Sequence, residues 1–391
     1  MILRLAVKNI LHNGWRSLIN IVVISIVLIV MVWTQAMYYS WIRLAEIQQT
    51  DWEYGKGLLR VKTYDPYDPL TFDESYAPIP QELQNAIDQE EIAPILMAPA
   101  TIYPQGRMLS AIIKGIPQQQ SVLVFPSGKL SAQQKDIVPV LIGKAMAKSS
   151  RLSQGDIFTI RVRDINGAYN AIDAIVEEVL PIPAPTADIG TIWVNLDLLQ
   201  EIREAPNTAS YFVLGSSKYQ NFESSDFRFI DKDEYFADLY QMLENERFQQ
   251  VLMYALLVFL AMIAIFDTQA LAVFKRRKEI GTLAALGFTK AKIVLLFTLE
   301  GTIYTVCAIL ATPILGFPLF YYFATSGFPI LEGYDEFGLP GFTEPIKFLY
   351  PIDEILMVFF VILIFTVFVS WLPTRKIAKM NPVDALRGKV N

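Results

Sequence analysis

The chain has 391 residues, of which 53% are hydrophobic and 18% are charged, and its net charge is −6. This balance indicates a membrane protein with a sizeable part in water. The negative charge argues against nucleic acid as a partner, because a basic surface would dominate such a chain. A single cysteine, Cys307, excludes an internal disulfide, and the single His12 excludes a histidine-rich metal site.

Four apolar runs are long enough to cross a bilayer, for which a helix needs about 20 residues. The fold class expected is an α-helical membrane protein with four transmembrane helices, which we predict over residues 17–43, 248–274, 293–323 and 355–373. Pro313, Gly316 and Pro318 predict a kink or an early end in the third span, because proline removes a backbone donor.

The short segments between the spans differ in charge, and this difference predicts the orientation. Lysine and arginine are concentrated in residues 1–16, 275–292 and 374–391, whereas residues 324–354 are acidic. By the positive-inside rule, both termini and the basic loop are cytoplasmic. Residues 44–247 then form a large external domain, and 324–354 a small external loop. We interpret residues 1–16 as a helix lying on the inner membrane surface; a simple continuation of the first span is the alternative.

The external domain shows the alternating strand and helix signals of an α/β fold. Alternation and β-branched content predict strands at Ser110–Ile116, Asp156–Val162, Ala171–Leu180 and Thr191–Leu196. Helices are expected over residues 79–90, 143–151 and 195–204. Three prolines between residues 181 and 185 predict an extended connector. Asp233–Leu252 reads as one helix that continues into the second span and, with an outward extension of the first span, forms a stalk.

Motifs for catalysis are missing from the sequence. It contains no Walker A motif, no zinc-protease motif and no nucleophile elbow, so we expect no catalytic residue, no metal and no cofactor in this chain. RLSQGD (Arg151–Asp156) superficially resembles the signature motif of ABC ATPases. We interpret it as a turn that feeds the strand after it, because the predicted topology places it outside, away from ATP.

Two carboxylates, Asp267 and Glu300, interrupt the second and third spans. Charged groups inside a membrane are costly and suggest a functional role. One reading is a proton or ion relay. The other is structural: a polar contact between helices, with Thr268, Thr298 or Thr302 as partners, or a group that reaches out to the membrane rim. The sequence favours the structural reading, because it shows no repeat of broken helices as in a secondary transporter.

A set of motifs in a fixed order gives the chain its resemblance to a known family. KRRKEIGTLAALGFTKAKIVLLFTLEG (Lys275–Gly301) resembles the inner segment of the MacB/FtsX/LolC–LolE permeases, with Phe288 in place of the usual alanine. AVKNILHNGWRSLIN near the start and KIAKMNPVDALRG near the end are similar to that family's terminal motifs. The external pieces IIKGIP, VLIGKAMAKSSRLSQGDIFTI and TIWVNLDLLQ also resemble it.

The resemblance implies a permease subunit of a type VII, or mechanotransmission, ABC transporter in the bacterial inner membrane. It further implies a second permease copy or paralogue, a periplasmic adaptor or carrier, and a dimer of cytoplasmic ABC ATPase subunits that bind ATP and Mg. The residues implied to contact the ATPase are Glu279, Ile280, Gly281, Leu283, Ala284, Ala285, Leu286 and Gly287. Ile280, Leu283, Ala284 and Gly287 can form one small apolar face that allows close approach to a partner. A segment lying on anionic lipid, drawn there by Lys275–Lys278, is the alternative.

Three functions fit this architecture. The first is release of outer-membrane-directed lipoproteins from the inner membrane, as in LolC and LolE. The second is MacB-like export of peptides or small molecules through an adaptor and an outer-membrane duct. The third is FtsX-like regulation of a cell-wall hydrolase, without transport.

Overall fold

The computed structural model describes residues 5–6, 8–9, 14–130, 137–329 and 345–379. Most of the predicted surface helix at 1–16, the middle of the loop at 324–354 and the end of the tail at 374–391 lie outside these residues. Two compact units are present: Met1–Ile42 with Met242–Phe328 and Ile346–Asn391, and Arg43–Gln241 with Pro329–Pro345. We call them the helical unit and the α/β unit.

In chain order, the described α-helices are α1 (Gly14–Gln49), α2 (Gln81–Asp88), α3 (Lys144–Ser150), α4 (Pro185–Asp188), α5 (Leu196–Ile202), α6 (Lys232–Tyr235), α7 (Ala237–Lys275), α8 (Arg277–Ala285), α9 (Lys290–Thr325) and α10 (Ile352–Lys379). Four of the described α-helices, α1, α7, α9 and α10, have 28 to 39 residues, and the others have nine or fewer. A five-residue π-helix, Thr50–Tyr54, follows α1, and short 3₁₀-helices cover Pro69–Glu74, Pro104–Gly106, Ser127–Lys129 and Ser217–Tyr219.

Within the described part of the chain, four helices are long and apolar enough to cross a membrane: Ser17–Tyr54, Arg247–Lys275, Lys290–Thr325 and Ile352–Arg375. With a large α/β unit between the first and second, they confirm the predicted fold class. All four contribute to one apolar core, in which Leu28 of α1, Ile265 of α7, Ala308 of α9 and Ile362 of α10 are buried. The apolar stretch of α9 is 50% buried and that of α7 only 18%, so α9 is the central helix.

Of the two alternatives predicted for the third span, a kink or an early end, the early end is wrong. Helix α9 continues through Pro313 and Pro318 to Thr325. Membrane helices tolerate proline because neighbouring groups satisfy the freed carbonyls, and water does not compete for the remaining hydrogen bonds.

The α/β unit is built on one nine-stranded sheet with the order β11-β1-β10-β3-β4-β8-β5-β7-β6. Only β4–β8 and β5–β7 are parallel pairs. A further small sheet pairs β2 with β9. The strands are β1 (Leu58–Val61), β2 (Ala77–Pro78), β3 (Ile92–Tyr103), β4 (Leu109–Ile116), β5 (Ile137–Gly143), β6 (Ile157–Arg163), β7 (Tyr169–Leu180), β8 (Thr191–Asn195), β9 (Thr208–Ala209), β10 (Tyr211–Leu214) and β11 (Phe227–Ile230).

The long strand β3 organises the sheet. It also pairs with β6. This extra pairing closes six strands into a ring, in the order β3, β4, β8, β5, β7 and β6. Side chains alternate across a strand, so Leu96 and Ala98 pack in the core inside the ring while Ile95 and Met97 pack in a second core on the other face. With both faces covered, β3 has no polar side.

The four strands and three helices predicted for this domain are confirmed, with ends that differ by at most two residues. The RLSQGD segment forms the predicted turn before β6. Two expectations are wrong. The proline-rich connector ends in the short helix α4, which begins at Pro185 because proline suits the first turn of a helix. The helix expected over Asp233–Leu252 is broken at Phe236 into α6 and α7.

The connector also explains a glycine in the resembling motifs. The Asp188 carboxylate of α4 accepts hydrogen bonds from the backbone N–H groups of Ala145 and Met146, both at 3.0 Å, and so caps α3 from another element. A Cβ on Gly143 would lie 2.0 Å from Asp188 Oδ1. Burial raises the pKa of the Asp188 carboxyl, although the two backbone donors oppose the shift.

Candidate functional site

The segment between the second and third spans is a short helix, α8, held against the ends of its neighbours. Ile280 is only 3% exposed and packs with Val273 of α7 and with Ile293 and Phe297 of α9. Leu283 and Ala284 pack partly against the same cluster. One side of α8 is therefore used for internal packing.

This packing divides the residues predicted to contact an ATPase. Ile280 and Gly281 are buried within the helical unit, and Leu283 and Ala284 are half-buried. Glu279, Ala285, Leu286 and Gly287 are exposed, and the Leu286 side chain is 73% exposed. Of the predicted apolar face of Ile280, Leu283, Ala284 and Gly287, the first three side chains pack wholly or partly inside the helical unit, and Gly287 is exposed. Contact of this face with an ATPase stays a prediction. The available surface lies at the end of α8, around Leu286.

A charged cluster joins α8 to α9 at the residue before α8. Arg276 Nε lies 2.6 Å from Glu279 Oε2, and Arg276 Nη1 lies 2.7 Å from Glu300 Oε2. The guanidinium also lies over the Phe297 ring at 4.8 Å. Arg276 is therefore not free to lie on lipid, contrary to the reading that assigned all of Lys275–Lys278 to the membrane surface. Lys275 and Lys278 are exposed.

The second oxygen of Glu300 binds the N-terminal segment. Asn9 Nδ2 donates to Glu300 Oε1 at 2.5 Å. Glu300 is buried, and it thus connects three separate parts of the chain. The sequence analysis assigned no function to Asn9. It is nevertheless part of the N-terminal motif AVKNILHNGWRSLIN, which is similar to that of the permease family.

The two intramembrane carboxylates are not brought together. Asp267 is exposed on α7 and has no hydrogen bond or ion pair within the described residues. Of the threonines expected as partners, Thr268 donates to Asn20 at 3.2 Å, Thr298 lies 3.2 Å from Thr374, and Thr302 donates to the Thr298 carbonyl at 2.9 Å. A cavity of about 330 Å³ lies beside Glu300 and is also lined by Asn20, Lys275 and Tyr304, among others.

Gly301 allows α9 to approach its neighbours closely. A Cβ there would lie 2.2 Å from Ser370 Oγ of α10 and 2.9 Å from Gln269 Nε2 of α7. Both of these side chains are buried. Glu300 and Gly301 are adjacent in the motif that resembles the permease family. Glu300 makes the ion pair with Arg276, and Gly301 allows the close packing of α9 against α7 and α10 at the same level.

Within the described residues, no group of three or more His, Cys, Asp or Glu side chains is placed to hold a metal ion. The site is built from packing and ion pairs. It can hold α8 rigidly to α7 and α9 and present Leu286 to a partner.

Comparison with known proteins identifies this region. Residues 251–382 match the family model described as FtsX-like permease C-terminal. The match begins in α7 and includes α8, α9 and α10. Over these residues the chain is similar to the FtsX-like permease C-terminal family, which confirms the resemblance read from the sequence for this part of the chain.

One solved structure is described as the crystal structure of the extracellular domain of the noncanonic ABC-type transporter YknZ from Gram-positive bacteria. It is 12% identical and is aligned over 45% of this chain and 99% of that chain, with a TM-score of 0.25. At this TM-score the likeness supports no statement about function. No curated protein matches the sequence.

Proposed function

We propose that this chain is the membrane subunit of an ABC transporter and passes movement from a separate cytoplasmic ATPase to its α/β unit. The observation that carries the proposal is the geometry of α8. An exposed apolar end at Leu286 is attached, through buried Ile280 and the Arg276–Glu300 contact, to two membrane helices. A push on Leu286 therefore moves α7 and α9 instead of bending a loop.

Helix α7 supplies the path outward. It is unbroken from Ala237 to Lys275, about 58 Å at 1.5 Å per residue. Contacts with α1 occur at two points in the first part of this helix. Within the helical unit, Gln250 Nε2 donates to Gln35 Oε1 at 3.1 Å. Within the α/β unit, the Tyr240 hydroxyl donates to Glu46 at 2.9 Å. These contacts favour joint movement of the two helices.

The proposal assigns the remaining parts of the machine to partners. Two ATPase subunits bind ATP and Mg, and a second permease copy or paralogue completes the membrane part in the bacterial inner membrane. The orientation follows from the basic charge of residues 275–292, which the positive-inside rule assigns to the cytoplasm. Support for the ATPase partner comes from the FtsX-like domain that contains α8.

For the substrate we propose lipoproteins that leave the inner membrane for the outer membrane. The support is the resemblance of the GKAMA and connector pieces to the lipoprotein-releasing permeases. Depletion of the protein is expected to leave lipoproteins in the inner-membrane fraction. Unchanged delivery to the outer membrane would sink the lipoprotein assignment and leave the coupling mechanism standing.

Replacement of Leu286 tests the coupling. In Leu286→Asp a charge replaces the exposed apolar contact, so we expect at least tenfold less ATPase to co-purify from membranes, with no change in the thermal unfolding of the permease. Leu70→Asp is the matched control, because Leu70 is 87% exposed in the α/β unit. Full recovery of an active ATPase with Leu286→Asp would show that α8 is not the contact.

A further inference from the structure

The α/β unit contains a cavity of about 690 Å³ whose floor is one face of the main sheet. The register explains which side chains form it. Arg60 of β1 lies opposite Tyr211 of β10, and Met97 of β3 lies opposite Lys114 of β4. Thr191 of β8 lies opposite Ile112 of β4. Clefts of about 300–1,000 Å³ hold small molecules, so the size suits a ligand.

The walls of the cavity are mostly apolar. They come from the end of α1 with the π-helix, the 3₁₀ segment Pro69–Glu74, the α4 connector and the start of α7. The apolar side chains of the whole lining include Leu58, Tyr64, Phe72, Ile189 and Leu239. A ligand held here would have a largely apolar body.

Most charged groups of the lining are already engaged. Lys114 Nζ lies 2.5 Å from Glu53 Oε1, with both side chains under 10% exposed, and Glu53 also accepts a hydrogen bond from the Thr186 hydroxyl. Asp238 accepts from the Tyr67 hydroxyl at 2.7 Å. Both carboxylates therefore already have partners within the lining.

Arg60 is different because its donors are largely unused. Its hydrogen bond to Glu234 is long, at 3.4 Å. Arg228 already holds both oxygens of that carboxylate, at 2.6 and 2.8 Å. Arg60 Nε has no partner, although the side chain is only 15% exposed. A guanidinium offers five donors in a fork that fits a carboxylate.

The residue opposite Arg60 also has an unused donor. Tyr211 is 5% exposed, and its hydroxyl is buried without a hydrogen-bond partner within the described residues. A buried polar group in this state destabilises the folded protein unless a ligand supplies a partner. The two residues are direct cross-strand neighbours, whose Cβ atoms lie about 5 Å apart, so a modest side-chain adjustment lets one acceptor group reach both.

We propose that this cavity binds an amphipathic carboxylate, with its head group on Arg60 and Tyr211 and its apolar body along Tyr64, Phe72 and Leu239. The site belongs to the α/β unit alone and does not depend on an ATPase partner. Its lining includes Gln49 at the end of α1 and Ala237 at the start of α7, so an occupied cavity contacts both long helices.

A fluorescent probe of this chemistry tests the site on the full-length protein in lipid nanodiscs. The probe is N-dansyl-phenylalanine, with N-dansyl-phenylalaninamide as the neutral comparison, and empty nanodiscs supply the background. We expect saturable binding of the acid and at least tenfold weaker binding of the amide, because a charge-assisted hydrogen bond is lost.

Variants locate the probe. Arg60→Met should weaken acid binding about tenfold, and Tyr211→Phe, which removes only the hydroxyl, about fivefold. Ile189→Trp fills the cavity from an exposed wall position and should abolish binding. Arg161→Met, at an exposed arginine of β6 outside the cavity, should change nothing.

Three results would each overturn the proposal. They are no saturable binding above empty nanodiscs, equal binding of acid and amide, and unchanged binding in Arg60→Met and Ile189→Trp. Thermal unfolding of each variant shows whether it is folded. If Arg60→Met does not fold, Ile189→Trp decides the location, and the comparison of acid with amide decides the chemistry.

Discussion

At the scale of single residues, Arg276 and Glu300 form the contact on which the proposed coupling depends. Two charges taken out of water are stable only when each keeps its partner. Glu300 uses one oxygen for Arg276 and the other for Asn9, and Arg276 uses its Nε for Glu279. Removal of Arg276 therefore leaves the buried Glu300 without a cationic partner.

A double-mutant cycle on this pair should show strong coupling. We expect Arg276→Met alone to lower the free energy of unfolding by about 3 kcal/mol, because Glu300 stays buried without its cationic partner. Adding Glu300→Met should restore most of the loss, since two apolar side chains replace the pair. Denaturant unfolding of the purified permease measures all four corners of the cycle.

The control is the more exposed pair Arg163–Asp73, whose atoms lie 3.1 Å apart with both side chains about half exposed. Surface pairs contribute at most about 1 kcal/mol, so Arg163→Met should change stability little. Additive effects of the two Arg276 and Glu300 substitutions would contradict a coupled buried pair.

The sequence could single out Glu300 but not its partners. A carboxylate inside an apolar run is visible in one dimension. Its partners are 24 and 291 residues away along the chain, and no local pattern connects them. The same limit explains the divided face of α8. Small apolar residues at helical spacing predict that a face is buried, but not whether the neighbour belongs to this chain or to a partner.

At the scale of elements, strands were predicted correctly where their local composition favours a strand. They were missed where tertiary packing stabilises a strand that its local composition disfavours. The ring strands β4, β6, β7 and β8 were predicted from β-branched content. The two that were not, β3 and β5, contain Pro94, Pro99 and Pro139. Proline argues against a central strand because it lacks a ladder donor. Here the burial of apolar side chains on both faces of the sheet outweighs the lost hydrogen bonds. That burial depends on strands distant in the chain, so the local sequence does not show it.

The close approach of α9 gives a prediction for this scale. Gly301→Ala should lower the free energy of unfolding by about 1–3 kcal/mol, because its Cβ would meet Ser370 Oγ at 2.2 Å and force α9 away from α10. Val306→Leu, which also adds one carbon at an exposed position of the same helix, should be nearly neutral. Equal thermal unfolding of the two variants would contradict a tight helix contact at Gly301.

At the scale of the whole molecule, the proposed coupling requires α8 and the α/β unit to lie on opposite sides of the membrane. The single cysteine makes this directly measurable, since Cys307→Ser removes all background thiols. Gly128→Cys places a thiol on the α/β unit, at a position with open space around its Cβ. Thr282→Cys places one on the exposed side of α8.

In intact cells without an outer membrane, a maleimide that cannot cross the bilayer should label Gly128→Cys at once and Thr282→Cys only after permeabilisation. The physical reason is the charge of the connecting segments, because Lys275–Lys278 and the basic tail are retained in the cytoplasm while the acidic segment 324–354 is not. Labelling of both variants after permeabilisation provides the control for thiol accessibility. The reverse order of labelling would place α8 outside, away from any ATPase, and the coupling mechanism would then be wrong even if the Arg276–Glu300 contact is real.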